Sequence, residues 1–271
     1  MKPILILSAI ASLSLFSCSH MSKRHHHLGK IAMGKHRSQK NIDRNVYRHP
    51  VETLRFFEVR PHMKVAEISP GGGWYTEILG PYLKDKGEFY ITKFPNEGRP
   101  YYPKLNKMVE EKISDKSLYG EVRSAVFLPG MVEEEIAPEN SLDRVLTFRN
   151  LHNWMKAGKA REAIATFYKI LKPGGVLGVV DHRAAMNSKL DKSASNGYVK
   201  EDYAIELIKS AGFEFVAKSE INANYKDQAN HKAGVWNLPP SLRNVKDKQI
   251  SYYQSIGESD RFTLKFRKPL K

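Results

Sequence analysis

One cysteine, Cys18, is all the thiol that this chain of 271 residues carries, so no internal disulfide framework and no cysteine-based zinc site can be built. Its most apolar stretch, residues 4–16, falls short of the about 20 residues that a permanent membrane-spanning helix needs. There is no internal repeat, and no complete Gly-x-Gly-x-x-Gly fingerprint for a dinucleotide. Acid is missing from the first forty residues, which hold seven Lys or Arg. The other 231 residues carry 37 basic and 29 acidic side chains, so the formal net charge of +15 overstates how basic the body is. A solvated surface accounts for that balance as well as a nucleic-acid face would. What is present is ample apolar material, 41% hydrophobic and 10% aromatic, enough for one sizeable core.

The chain opens with Lys2, an apolar run from Ile4 to Ala11, and then Leu13, Leu15 and Phe16. A short basic start and an apolar core of this length read as a secretory signal. The end of the run, Leu15-Phe16-Ser17-Cys18, resembles the bacterial lipobox, which implies lipidation of Cys18 and attachment to a membrane. Phe16 is bulkier than the usual residue there. Residues 19–42 are basic and His-rich, with His25-His26-His27 and His36 among the lysines and arginines, and they read as a flexible tether. Residues 1–18 are thus the expected signal, 19–42 the tether and 43–271 the folded domain.

From Pro50 onward, short apolar strands alternate with helical spacing. Strands are expected at 65–68, 88–92, 124–128, 142–148, 176–180, 213–218 and 262–266, and helices at 51–59, 74–83, 160–171 and 203–211. The β-branched run Val176–Val180 suits a strand covered on both faces. Strands separated by helices indicate a doubly wound α/β sheet. Residues 222–260, with Pro239-Pro240, are long for a connection and are expected to form a lid or insertion.

In such sheets ligands bind beyond the carboxyl ends of the strands. The turn after the first strand is Glu67-Ile68-Ser69-Pro70-Gly71-Gly72-Gly73, whose glycines let the backbone turn sharply and approach a ligand. An acidic residue ending strand one before a glycine-rich turn resembles the first motif of class I S-adenosylmethionine (SAM)-dependent methyltransferases. Further blocks resemble a bacterial group of predicted methyltransferases. They are Arg44 with Tyr47-Arg48-His49-Pro50, the run Gly71 to Glu77, Leu171 to Val176 through Asp181-His182-Arg183, and Gly257 to Phe262 through Lys268-Pro269. The resemblance implies a Rossmann-like, seven-stranded, mostly parallel sheet with helices on both faces and an antiparallel last strand. It also implies SAM as cofactor, with Glu67 organising the turn and the cofactor's amino-acid end and with Ser69, Gly71 and Gly73 passing beneath it.

Two positions depart from that pattern. Ser69 stands where the class usually has Gly, and Lys93 falls where strand two normally ends in an acid that accepts from both ribose hydroxyls. A lysine there suits a ribose 2′-phosphate, which keeps an NADP-dependent reductase as an alternative. The segment Phe148 to Trp154 follows strand four, and Asn150 is expected at the cofactor and His152 as general base, because imidazole titrates near neutral pH. Asp181 and His182 end strand five at the same sheet edge, and Tyr47 and His49 precede the first helix; these four are expected to contact substrate. The loop lacks the Asn-Pro-Pro-Tyr type of motif found in enzymes that methylate base amines, so a small molecule is expected rather than DNA or RNA. No sequence cluster has metal-ligand spacing. Export conflicts with a cytoplasmic supply of SAM. A start at Met21 or Met33 would resolve that, and so would a catalytically inactive binding module in the cell envelope.

Overall fold

The computed structural model describes residues 27–130 and 135–270. Its seven strands are β1 Lys64–Ile68, β2 Glu88–Lys93, β3 Val122–Val126, β4 Leu142–Phe148, β5 Leu171–His182, β6 Glu214–Ser219 and β7 Arg261–Arg267. They form one sheet in the order β3-β2-β1-β4-β5-β7-β6. Every neighbouring pair is parallel except those of β7, which runs antiparallel to both β5 and β6. The order runs outward in opposite directions from β1 and β4. A crevice therefore opens between their carboxyl ends.

The main helices are α1 Pro50–Phe56, α2 Thr76–Leu83, α3 Tyr102–Ile113, α4 Leu151–Lys156, α5 Ala160–Ile170, α6 Glu201–Lys209 and α7 Asp247–Ile256. Side chains alternate across the strands, so the sheet feeds two cores. Tyr90, Val145, Leu177 and Val179 face one cluster, closed by Trp154 of α4, Ile164 and Phe167 of α5 and Leu207 of α6. Phe89, Ile91, Leu146 and Val180 face the other, closed by Leu54 of α1, Ile78, Leu79 and Leu83 of α2, and Val109 of α3. Helix α5 buries Ala163, Ile164, Phe167 and Ile170, the three-and-four spacing of a single stripe. The helices thus cover both faces, as expected.

The expected tether needs correction over its described part. Residues 27–32 are helical, and Leu28, Ile31 and Ala32 pack into the second core. Arg37 is buried, and its Nε donates to Glu77 Oε2 of α2 at 3.1 Å. Asn41 Nδ2 and Lys112 Nζ donate to the same carboxylate, at 2.9 and 2.8 Å to Oε1. The indole of Trp74 lies between the guanidiniums of Arg37 and Arg48, each 4.7 Å from the ring. Composition misled here because three apolar residues on one helical face, with a partner acid elsewhere in the chain, were enough to dock a basic segment. The expected signal and Cys18 lie outside the described residues. Among the described residues, no helix is long and apolar enough to cross a membrane.

Three further differences are local. Strand β3 begins two residues before its expected start. Helix α5 ends at Ile170 and strand β5 begins at Leu171, so Pro173-Gly174-Gly175, expected to stop the helix, lies within the strand instead, beside an irregularity in its pairing with β4. Helix α3 had no counterpart in the sequence reading. It buries only Asn106 and Val109, too few to leave a clear apolar stripe. The expected insertion is an ordered cover, with a 3-10 turn at Gly234–Asn237 followed by α7.

Candidate active site

Strand β1 delivers the glycine turn to the crevice. Ser69 has φ +50°, Gly71 +60° and Gly73 +79°. Ser69 therefore occupies the left-handed region that glycine enters freely, which explains the residue type usual there. Its N–H donates to Thr92 Oγ1 of β2 at 2.7 Å, and Asn150 Nδ2 donates to Ile68 O at 3.0 Å and Ser69 O at 3.2 Å. Asn150 is thus a buried clamp between the β1 turn and the end of β4. A Cβ built on Gly71 would meet no atom within 4 Å, because that residue borders open space.

Two cavities flank the turn and share Ser69, Pro70, Gly71, Leu105, Phe148 and Arg149. The first, of about 570 Å³, is lined by Glu67 and by Ser38, Lys40, Asn41, Arg44 and Arg48 from the N-terminal turns. The second, of about 470 Å³, is lined by Phe94, Tyr102, Phe127 and Asn150. Phe94 and Tyr102 stack there with ring centroids 4.3 Å apart. Glu67 is 2% exposed and accepts from Thr76 Oγ1 at 2.7 Å. Burial pushes its carboxyl up to about 8, against the smaller lowering effect of the Thr76 hydrogen bond. At neutral pH it is therefore mostly protonated.

A smaller recess of about 150 Å³ adjoins the first cavity through Arg149 and Pro240. His152, His182, Ser259, Arg261 and Trp236 line it. Asp181 is wholly buried and accepts three hydrogen bonds: from His152 N at 2.9 Å, His182 N at 2.8 Å, and His152 Nδ1 at 2.8 Å. With Nδ1–H committed to the carboxylate, the Nε2 lone pair of His152 is left to take a proton. His182 lies with its ring centroid 5.1 Å from that of His152, and its Nδ1 is 2.5 Å from Ser259 Oγ. Burial, then the charges of His152 and Arg261, hold His182 well below the ordinary histidine value, so it stays neutral.

Donor atoms of His152, Asp181 and His182 lie within 4.8 Å of one another, a grouping made by β4 and β5 that linear spacing does not reveal. Asp181 is already taken up by three donors, and the guanidiniums of Arg149 and Arg261 share the recess. That setting disfavours a cation.

The other expected site residues fall differently. Lys93 ends β2 as anticipated, but its Nζ donates to Glu110 Oε1 of α3 at 2.8 Å and it lines neither large cavity. Tyr47 and His49 line none of the three cavities, whereas Arg48 between them does. His49 instead takes φ +37° at the start of α1. Sequence reasoning placed Arg48, with Tyr47 and His49, in an entry segment that could cover the cofactor, and gave no role to Arg149, Arg261 or Glu258. Glu258 is contacted by Arg44 Nε at 2.5 Å, Arg48 Nε at 3.2 Å, and Arg261 Nη2. Although burial raises its carboxyl, these guanidiniums hold it well below the usual range. The recurrence of Arg44, Arg48 and the Gly257–Phe262 block in the family resemblance was the available signal.

No family model matches the chain. A ubiquinone/menaquinone biosynthesis C-methyltransferase from Teredinibacter turnerae is 27% identical over 145 residues, which is 52% of this chain and 51% of that one. The match thus spans about half the length of that curated relative. Among solved structures, a SAM-dependent methyltransferase from Aquifex aeolicus superposes with a TM-score of 0.53 at 17% identity, covering 66% of this chain and 87% of that one. One from Methanosarcina mazei does so with a TM-score of 0.53 at 12% identity, covering 80% and 98%. The cyclase SpnF does so with a TM-score of 0.56 at 15% identity, covering 83% and 81%. At these identities the solved structures show a shared fold. The presence of a cyclase among them shows that this fold does not fix the reaction.

Proposed function

We propose that this chain, a member by fold of the class I SAM-dependent methyltransferase superfamily, binds SAM across the β1 turn and methylates a small molecule held against His152. The observation that carries the reading is the joined pair of cavities over Ser69–Gly73, unlike at their two ends. The aromatic end, with Phe94, Tyr102 and Phe127, suits a flat base. The other end offers Glu67 for an ammonium and Arg44 and Arg48 for a carboxylate. Gly71, whose Cβ position is open, lets a ligand approach the backbone between them.

Bound SAM would supply a methyl group on a sulfonium, open to in-line displacement. The chain's own part is to position the acceptor, exclude water and remove a proton. His152 Nε2 is the proton acceptor, held in its tautomer by Asp181, and the His182–Ser259 pair makes the far wall. Trp236 and Pro240, from the insertion between β6 and β7, cover the recess. The partial likeness to a C-methyltransferase supports an acceptor activated by deprotonation. Lys93, on which the reductase alternative rested, is engaged by Glu110 away from both cavities.

The test is calorimetric titration of the full chain with SAM and S-adenosylhomocysteine. Micromolar binding is expected, and it should be lost in Gly71→Arg, which fills the cleft. A cooperatively melting chain that binds neither compound would sink the reading. We propose as a second element that the chain is exported and lipid-anchored through Cys18. Mass spectrometry of the mature N-terminus should find a diacylated Cys18; an intact N-terminus at Met1 or a start at Met21 would overturn it.

A further inference from the structure

Four guanidiniums, those of Arg44, Arg48, Arg149 and Arg261, converge where the N-terminal turns, the β4–α4 loop and β7 meet. Glu258 hydrogen-bonds three of them. Arg149 is the exception. Its N–H donates to Val180 O at 2.7 Å, yet its side chain forms no hydrogen bond or ion pair among the described residues, and its Nε is buried. The Nε of Arg261, a residue 2% exposed, is likewise buried without an acceptor. Leaving a buried charged donor unsatisfied is costly, and native structures seldom do it without a use for it. Arg149 is also held at φ +64°, a conformation that non-glycine residues avoid unless their surroundings impose it. Burial and the neighbouring Arg261 lower its own value to about 10, the mark of a cation short of counter-charge.

Arg149 and Arg261, each with an unsatisfied Nε, line the same 150 Å³ recess as His152. His182 there is neutral and adds no negative charge, and the carboxylate of Asp181 is directed to His152 and His182. The recess is therefore a pocket of cationic donors containing one free base. At about 30 Å³ per water it has room for roughly five waters, the size of a small functional group rather than a whole metabolite.

We infer that the methyl acceptor is an acid whose carboxylate is held by Arg149 and Arg261, beside the position that His152 deprotonates. The inference rests on the methyl-transfer reading and narrows its substrate class to carboxylate-bearing small molecules. Paired guanidiniums would neutralise that carboxylate and so ease the loss of a second proton nearby.

The experiment titrates the full chain with benzoate and with its neutral isostere benzamide, both with and without saturating S-adenosylhomocysteine. Benzoate should bind at least about tenfold more tightly than benzamide, and Arg149→Met should weaken benzoate about tenfold or more, as expected for a lost charge-assisted hydrogen bond. Arg149→Lys, which keeps the charge and loses the fork, should recover part of the loss. Equal binding of benzoate and benzamide would overturn the inference. So would an Arg149→Met variant that loses S-adenosylhomocysteine affinity but not benzoate, since Arg149 would then serve the cofactor. Failure of S-adenosylhomocysteine to bind wild type strikes the methyl-transfer reading instead. The benzoate series on the unliganded chain then still decides whether the recess is an anion site.

Discussion

On the proposed reading Glu67 should couple ligand binding to protons, and pH is the perturbation that exposes it. The buried carboxyl stands at about 8 in the free protein and loses its proton readily only when a cation arrives beside it. An ammonium at the end of an adenosyl ligand is such a cation, and an α-amino group remains charged below about pH 7.7. At about pH 7, one unit below the carboxyl's value, ionisation costs about 1.4 kcal/mol, so apparent affinity lies about tenfold under its ceiling. Between about pH 5.5 and 7.5 the affinity should therefore climb close to one decade per unit, about a hundredfold in all. Calorimetry in buffers of differing ionisation enthalpy should report release of about one proton per ligand. Stability of the free protein runs the opposite way. A carboxyl raised on folding contributes most below its unfolded value, near 4.5, and that contribution is lost as pH rises through about 8. Glu67→Gln should flatten both profiles, because the amide keeps an oxygen for Thr76 and cannot titrate. A wild-type affinity that does not change over this range, or a glutamine variant with the same slope, would refute the coupling.

Three further changes probe the scaffold. Ser69→Gly relieves a left-handed backbone and should stabilise the chain by up to about 1 kcal/mol in urea titrations, after the loss from greater unfolded-state freedom. Glu77→Gln strips the charge that buried Arg37 pairs with, and should cost about 3–5 kcal/mol. Limited proteolysis of that variant should then cut within residues 27–48, which wild type protects. Gly178→Val places a Cβ 2.8 Å from both Leu146 and Phe57 across the central strands, and should cost several kcal/mol by thermal melting.

Sequence pattern was informative where one element's own residues decided its fate. Strand β4 was legible to the residue because apolar Leu142, Val145, Leu146 and Phe148 and β-branched Thr147 fill five of its seven positions. Helix α5 was legible because its five buried residues form one stripe. The antiparallel β7 came from family resemblance, since nothing local tells a strand which way its neighbour runs. The segment 27–42 was misjudged for the opposite reason. Its basic residues suggested solvent, and only the fold brings Glu77 within 3.1 Å of Arg37. Helix α3 stayed hidden because its exposed face outweighs Asn106 and Val109.

The site divides along the same line. Glu67, Gly71 and the clamp Asn150 were legible because they are contiguous with strand ends, and strand ends define the crevice. His152 and Asp181 could each be picked out as strand-end residues. Their 2.8 Å contact required β4 and β5 to be neighbours in register. Arg149 was invisible in a different sense, for an arginine after a strand is commonplace and usually solvated. Its meaning lies in what fails to surround it, and a missing partner can be counted only once every neighbour has been placed. Lys93 makes the converse case. It sat where chemistry was expected, and Glu110 of α3, a helix with almost no sequence signature, took it out of the cavity. A residue's position on the chain nominates it for a site, and the charges that other elements bring to it decide whether it serves there.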